Sequence, residues 1–191
     1  LISAYPRSEE AASERNSLPE VYRLLGETYS SMVGQEENPD KKRALKDKAQ
    51  EIFTEAKSGL EERLEQFKRL LADPGATNVD YLNDQYMQAR YNLAKTYYFN
   101  SKIYGPDEAN RKDRLNKAVA AFEDFALDYQ NQSFLGYEAF IYMGFCHRDL
   151  GKTDDALADY DEAIALASSW DDPNNPTDPT QPYPIPEELH E

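Results

Sequence analysis

The sequence is poor in the residues that small catalytic and metal centres use. It holds one cysteine and two histidines in 191 residues. The lone thiol, Cys146, excludes an intramolecular disulfide and a multi-cysteine zinc site. It fits a reducing compartment or a disulfide-free envelope protein equally well. His147 and His190 cannot supply a histidine-rich ligand spacing, so a metal or catalytic site would have to rest on carboxylates. A glycine-rich phosphate cradle and a general-base constellation are also missing. No stretch approaches the roughly 20 apolar residues that a membrane-spanning helix needs, and Leu1 to Arg7 lacks the basic start and apolar run of a secretory leader. The first residue is Leu rather than Met, which suggests a trimmed or processed chain, so the missing leader leaves the compartment open. Cations are scarce as well: 21 Lys and Arg face 36 Asp and Glu, a net charge of −15. Such a surface repels phosphate backbones and anionic headgroups, which argues against nucleic-acid binding.

What is present is helical periodicity. Val21, Leu24, Leu25, Thr28, Tyr29 and Met32 form a stripe at spacings of three and four, predicting a helix over 18–33 with Pro19 in its first turn and Gly34 turning the chain at its end. From 42 to 71 the stripe is Leu45, Ala49, Ile52, Phe53, Ala56, Leu60, Leu64, Phe67 and Leu71, and it keeps phase through Gly59, which favours one long helix. "ADPGATN" breaks the chain. Further helices are predicted over 80–99, 114–129, 134–150 and 153–168, with no convincing strand.

The helices carry a recurrent spacing. Gly144 is followed twelve residues later by Ala156, then Tyr160 and Ala163 at steps of four and three. The same four-then-three pattern recurs in Ala118, Phe122, Phe125 and in Ala49, Phe53, Ala56, with Ala94 and Gly26 as the small partners upstream. A small residue in each helix lets two backbones approach, and aromatics fill the space beside them. The connections differ: 24 residues separate Ala94 from Ala118 and 23 separate Gly26 from Ala49, against twelve in the last unit. The extra residues fall in "QEENPDKKRAL" and "SKIYGPDEANRK".

This pattern resembles the tetratricopeptide repeat, most closely over 136–167 and less closely over 91–129 and 21–60. Arg90, Phe125 and His147 depart from the family's usual large apolar residue, alanine and tyrosine. "LISAYPRSEEA" and "FALDYQNQSFLGYEA" resemble the joint between repeats in bacterial envelope members, such as the periplasmic partners of the Tol–Pal system and the outer-membrane assembly lipoproteins. The resemblance implies an all-α, right-handed superhelix of stacked antiparallel helix pairs, with long helices and inserted loops in the first two repeats. The repeats would span 18–71, 80–129 and 134–168 of a domain over 1–170. Residues 1–8 would end a preceding repeat, and 171–191 would form a proline-rich acidic tail or linker. It also favours the periplasm or envelope over the cytoplasm.

In such a stack the first helix of each pair lines the concave side. Helical phase then predicts a partner-binding surface of Arg23, Glu27, Tyr91, Lys95, Tyr98, Ile141, Phe145 and Arg148. Aromatics mixed with cations suit a peptide-binding surface, although the 14 tyrosines serve equally as packing material. The family's carboxylate-clamp ligand is not expected, because the matching places carry Arg23 and Glu27, Asn92, Glu138 and Tyr142, and Glu27 would repel a carboxylate. Cys146 and His147 are adjacent on a helix and point apart, so they read as packing residues. "WDDPNNPTD" lacks the glycine and the closing glutamate of an EF-hand and reads as acidic linker rather than calcium site. Pro173, Pro176, Pro179 and Pro182 recur at the three-residue period of polyproline II. That segment is read as a linker, or as a cap that packs Trp170, Tyr183 and Ile185 on the helices. The sequence thus predicts a non-enzymatic protein-interaction scaffold needing no cofactor or metal, with a protein or peptide partner. The alternative is a structural subunit of a larger assembly with no discrete groove.

Overall fold

The computed structural model describes residues 9–130 and 133–170, with side chains from 18 to 168. Six helices and no strand occur among the described residues: α1 Glu9–Gln35, α2 Pro39–Leu71, α3 Val79–Ser101, α4 Ala109–Tyr129, α5 Phe134–Asp149 and α6 Thr153–Trp170. Successive helices pack on one another in the pairs α1–α2, α2–α3 and α5–α6. The expected residues 1–8 of a preceding repeat and the 171–191 tail lie outside the described residues, as does the side chain of Trp170.

The chain divides into two compact units within α4, the first ending at Ala121 and the second beginning at Phe122. In the first, α1 and α2 form a hairpin and α3 packs on both. Leu60 and Phe67 of α2 bury against Ala89 of α3, with Leu64, Leu82, Tyr86 and Leu93 around them. A second cluster joins Ala49 and Phe53 to Ile103, with Tyr29, Phe99 and Tyr104 beside it. Each fully buried phenylalanine stabilises the fold by about 1.5–3 kcal/mol before cavity terms. Arg63 ties three helices together: its guanidinium pairs with Glu20 of α1, donates to Gln85 of α3 at 3.3 Å, and lies 5.4 Å from the Phe67 ring.

Local chemistry sets the helix ends. Asn38 caps α2, its side-chain oxygen accepting from the N–H groups of Asp40 and Lys41, and Pro39 takes the first position, where a missing N–H costs little. Helix α2 runs unbroken through Gly59, because the notch there receives the Pro19 ring; an added Cβ would lie 2.7 Å from Pro19 Cγ. The expectation for α1 needs correction. Pro19 lies inside a helix that begins at Glu9, not in its first turn. Its ring, docked on Gly59, offsets part of the cost of the missing hydrogen bond. Gly34 is also helical rather than left-handed, since α1 continues to Gln35 and Glu36 N–H still bonds to Met32. Gly151 is the glycine that turns left-handed (φ +76°), with Gly151 N–H bonded to Arg148 C=O and Lys152 N–H to His147 C=O, the paired bonds of a Schellman cap.

The expected notches are present in both units. A Cβ at Gly26 would sit 2.6 Å from Phe53 Cε1, and one at Gly144 would sit 2.2 Å from Tyr160 Cε1. Glycine lets each aromatic ring lie directly on the opposing backbone. The two contacts join equivalent places in the α1–α2 and α5–α6 hairpins, so the spacing seen in sequence is a repeated packing device.

Candidate functional site

In the second unit an aromatic ladder crosses the helices. Phe122 stacks on Tyr142 (5.3 Å between centroids, 12° between planes), Tyr142 meets Phe145 edge-on at 5.7 Å, and Phe145 meets Tyr160 at 6.1 Å. The last two rings border an open groove of about 420 Å³ between α5 and α6. Tyr137, Ile141 and Phe145 recur every four residues and form one wall; Tyr160, Ile164 and Ala167 form the other. Ile164 is 63% exposed, a large apolar side chain left in solvent. Arg148 stands at one end, its guanidinium 5.2 Å from the Phe145 ring and 3.3 Å from Asp149. Burial pushes the Tyr160 hydroxyl above its ordinary range, with Arg148 pulling the other way. The groove therefore offers apolar area, with Arg148 beside the Phe145 ring of its wall.

The predicted surface residues separate into two groups. Ile141 and Phe145 line this groove, and Arg148 is exposed beside them. In the first unit, by contrast, Arg23, Tyr91 and Tyr98 are 7%, 3% and 6% exposed. They present almost no area to a partner. Arg23 pairs along the helix with half-buried Glu27. Lys95 lies over the rings of Tyr91 at 5.4 Å and Phe99 at 5.9 Å, so its charge is held against aromatic faces.

Sequence reasoning missed six residues of the groove: Tyr137, Tyr160, Ala163, Ile164, Ala167 and Ser168. The spacing marks Tyr160 only as packing against Gly144, although a ring that covers a glycine on one side leaves its other edge for a groove. Ile164 follows Tyr160 by four on the same face of α6 yet is 63% exposed, which marks that face as unpartnered there. Sequence reasoning also missed a polar contact within the hairpin. His147 Nδ1 lies 2.6 Å from Asp159 Oδ2, both side chains nearly buried. Burial raises the Asp159 carboxyl above its ordinary range, and His147 opposes that shift. Cys146 is fully buried beside this pair in sequence, so it offers no accessible nucleophile. Among the described residues no three His, Cys, Asp or Glu side chains converge as metal ligands, and no helix is long and apolar enough to cross a membrane.

No protein-family model matches the chain, and no curated protein or solved structure is significantly similar to it. The chemistry of the site rests on its own geometry.

Proposed function

We propose that this chain is a non-enzymatic interaction scaffold built from helical hairpins of the tetratricopeptide kind, and that it binds an amphipathic helical segment of a protein partner in the α5–α6 groove. One observation carries the reading: the hairpin repeat gives the groove an internal counterpart that is already filled. With Gly26 matched to Gly144 and Phe53 to Tyr160, Leu60 falls on Ala167 and Arg23 on Ile141. In the first hairpin that seat receives α3, whose Ala89 buries Leu60. In the last hairpin the same seat is open, and it is more apolar, with Ile141 and Phe145 standing where Arg23 and Glu27 stand in the first. A partner helix would bury apolar residues at steps of three and four there, with a small residue over Ala167 and an acidic residue near Arg148.

A peptide with the sequence of α3, Val79–Ser101, is a direct probe because α3 fills the equivalent seat. Added to the full chain, it should bind saturably by fluorescence anisotropy, and Ile164→Asp should weaken binding about tenfold or more by placing a charge in the apolar wall. Ile164 is exposed, so folding should survive the change. Absent binding, or binding indifferent to Ile164→Asp, would refute the groove reading.

A second reading, a structural subunit with broad contact surfaces, draws on Leu127, Phe134 and Leu157, which are 73%, 56% and 56% exposed and are not among the groove's lining residues. Sedimentation velocity over a wide concentration range separates the two, since a stable oligomer unaffected by Ile164→Asp favours the subunit.

A further inference from the structure

The second inserted segment, 101–112, folds back onto α2 just beyond the first, 35–45. Lys46, on the first turns of α2, donates to both carboxylate oxygens of Glu108 at 3.0 and 2.9 Å. The Gly105 N–H donates to the same carboxylate at 2.7 Å. The Tyr104 hydroxyl donates to Gln50, and the Lys46 ammonium lies 4.5 Å from the Tyr104 ring centre. These contacts fix the α3–α4 connection on α2 and enclose a cleft of about 520 Å³ that reaches back to Val33 and Gly34 at the end of α1. The short connection of the α5–α6 hairpin has no residues to build an equivalent.

The cleft inverts the charge of the molecule. Its wall carries Lys42, Arg43, Lys46 and Lys102 against one carboxylate, Glu108, four cations less one anion, or +3. Five cations and one aspartate fall in the octet Lys41–Lys48, a local +4 in a chain of −15. Glu108 is already engaged by Gly105 and Lys46, which hold its carboxyl below the usual range and ionised. Lys102 is positioned by the Tyr98 ring, 4.4 Å from its ammonium. Lys42 and Arg43 are exposed at the rim, while Val33 and Ile103 make a buried apolar floor with half-buried Tyr104.

We propose that this cleft docks a short, extended acidic peptide segment of a protein partner, its carboxylates meeting Lys42 and Arg43 while an apolar side chain between them rests on the half-buried Tyr104 ring. Charge complementarity selects the class. At physiological ionic strength fields fade over about 8 Å, so a ligand confined to the cleft experiences the local cations rather than the net charge. A nucleic acid would extend past it onto Glu36, Glu37, Asp40 and Asp107, which flank the cleft in sequence, and would be repelled there. The inserts are then recognition elements, and the docking needs no contribution from the α5–α6 groove.

The test uses the full chain and a fluorescein-labelled peptide of alternating Glu and Tyr, read by anisotropy near physiological salt. Binding should be saturable, absent for the same peptide with Gln replacing Glu, and about tenfold weaker in Lys42→Ala/Arg43→Ala. Lys68→Ala/Arg69→Ala removes the same charge from the last turn of α2 and should leave affinity unchanged. Both pairs are exposed, and unchanged thermal unfolding confirms that the variants are folded. Equal weakening in the two variants, or retained affinity for the Gln peptide, overturns the cleft. An oligothymidylate of similar length that binds as tightly, with the same dependence on Lys42 and Arg43, overturns the peptide as occupant.

Discussion

Replacing Gly144 with alanine tests the packing device on which the hairpins depend. The added methyl would lie 2.2 Å from Tyr160 Cε1 and 2.7 Å from Cδ1 and Cζ. Carbon atoms rest at about 3.5 Å or more, so ring and backbone must separate by about 1.3 Å. The Phe145 ring, edge-on at 6.1 Å, limits how far the Tyr160 ring can move along α5. Overpacking of this kind costs about 1–3 kcal/mol, and alanine returns up to ~1 kcal/mol of helix propensity, which leaves a net loss of about 1–2 kcal/mol. Gly34→Ala isolates the second term, because nothing lies within 4 Å of its Cβ position. It should be neutral or slightly stabilising. Urea unfolding followed by far-UV circular dichroism measures both, and Tyr160→Leu completes a double-mutant cycle. In the Tyr160→Leu background the alanine should cost nothing, giving a coupling energy of about 1–2 kcal/mol. A Gly144→Ala protein as stable as Gly34→Ala, or a cycle that closes to within ~0.5 kcal/mol, would refute the notch.

Three other outcomes follow from the same contacts. Gly136→Ala should be costlier than Gly144→Ala, because its Cβ would meet backbone, 2.5 Å from Tyr129 O and 2.6 Å from Gln130 Cα, which cannot rotate away as a ring can; denaturant midpoints rank the two. Arg63→Ala should destabilise the first unit by about 2 kcal/mol, below the ~3–5 kcal/mol of a fully buried pair because Glu20 keeps 25% of its side chain exposed. Arg63→Met should recover part of that loss by keeping the stem on Phe67, again by urea unfolding. The Asp159 carboxyl is raised above 3.8, so over the window just above that value the folded chain holds a proton the unfolded chain has released. Unfolding free energy of the wild type, taken relative to Asp159→Asn, should therefore fall as pH rises from 3.8 through the raised value; a flat or rising difference counts against burial as the dominant cause.

Local rules made the helices legible. Every helix stops within two residues of the sequence expectation, because Pro, Gly and polar runs punctuate an otherwise continuous apolar period. The start of α1 was missed for an identifiable reason. Proline in a first turn and proline in a helix interior look alike in sequence unless the receiving notch is known, and here the notch is Gly59, forty residues away. The surface residues were legible only in part, since helical phase ranks residues around one helix but does not say which face a third helix covers. Tyr91 and Tyr98 hold the repeat positions of Ile141 and Arg148 and have a different fate: α3 is buried on the side they occupy as well as on the side where Ala89 and Leu93 meet α2, whereas Ile141 borders an open groove.

The inserts show the same principle from the opposite side. In the sequence they are merely extra polar residues at matched positions, and the repeat pattern is clearer when they are removed. Their significance depends on a distance that no periodicity encodes: Lys46 and Glu108 are 62 residues apart and share a bidentate contact. A repeat fixes where insertions can go without disturbing the notches, at the ends of the helices on one side of each hairpin. In the first unit the two insertions line one cleft, Lys42 and Arg43 from the first and Lys102 and Glu108 from the second. Composition then decides what the junction does, and here it gathers Lys42, Arg43, Lys46 and Lys102 in a chain otherwise dominated by carboxylates. Shortening the 35–46 segment to the length of the α5–α6 connection should therefore abolish acidic-peptide binding while Gly26 and Phe53 still pack, which circular dichroism and anisotropy measured on one sample would show; loss of the hairpin itself would mean that the insert is part of the packing device rather than an addition to it.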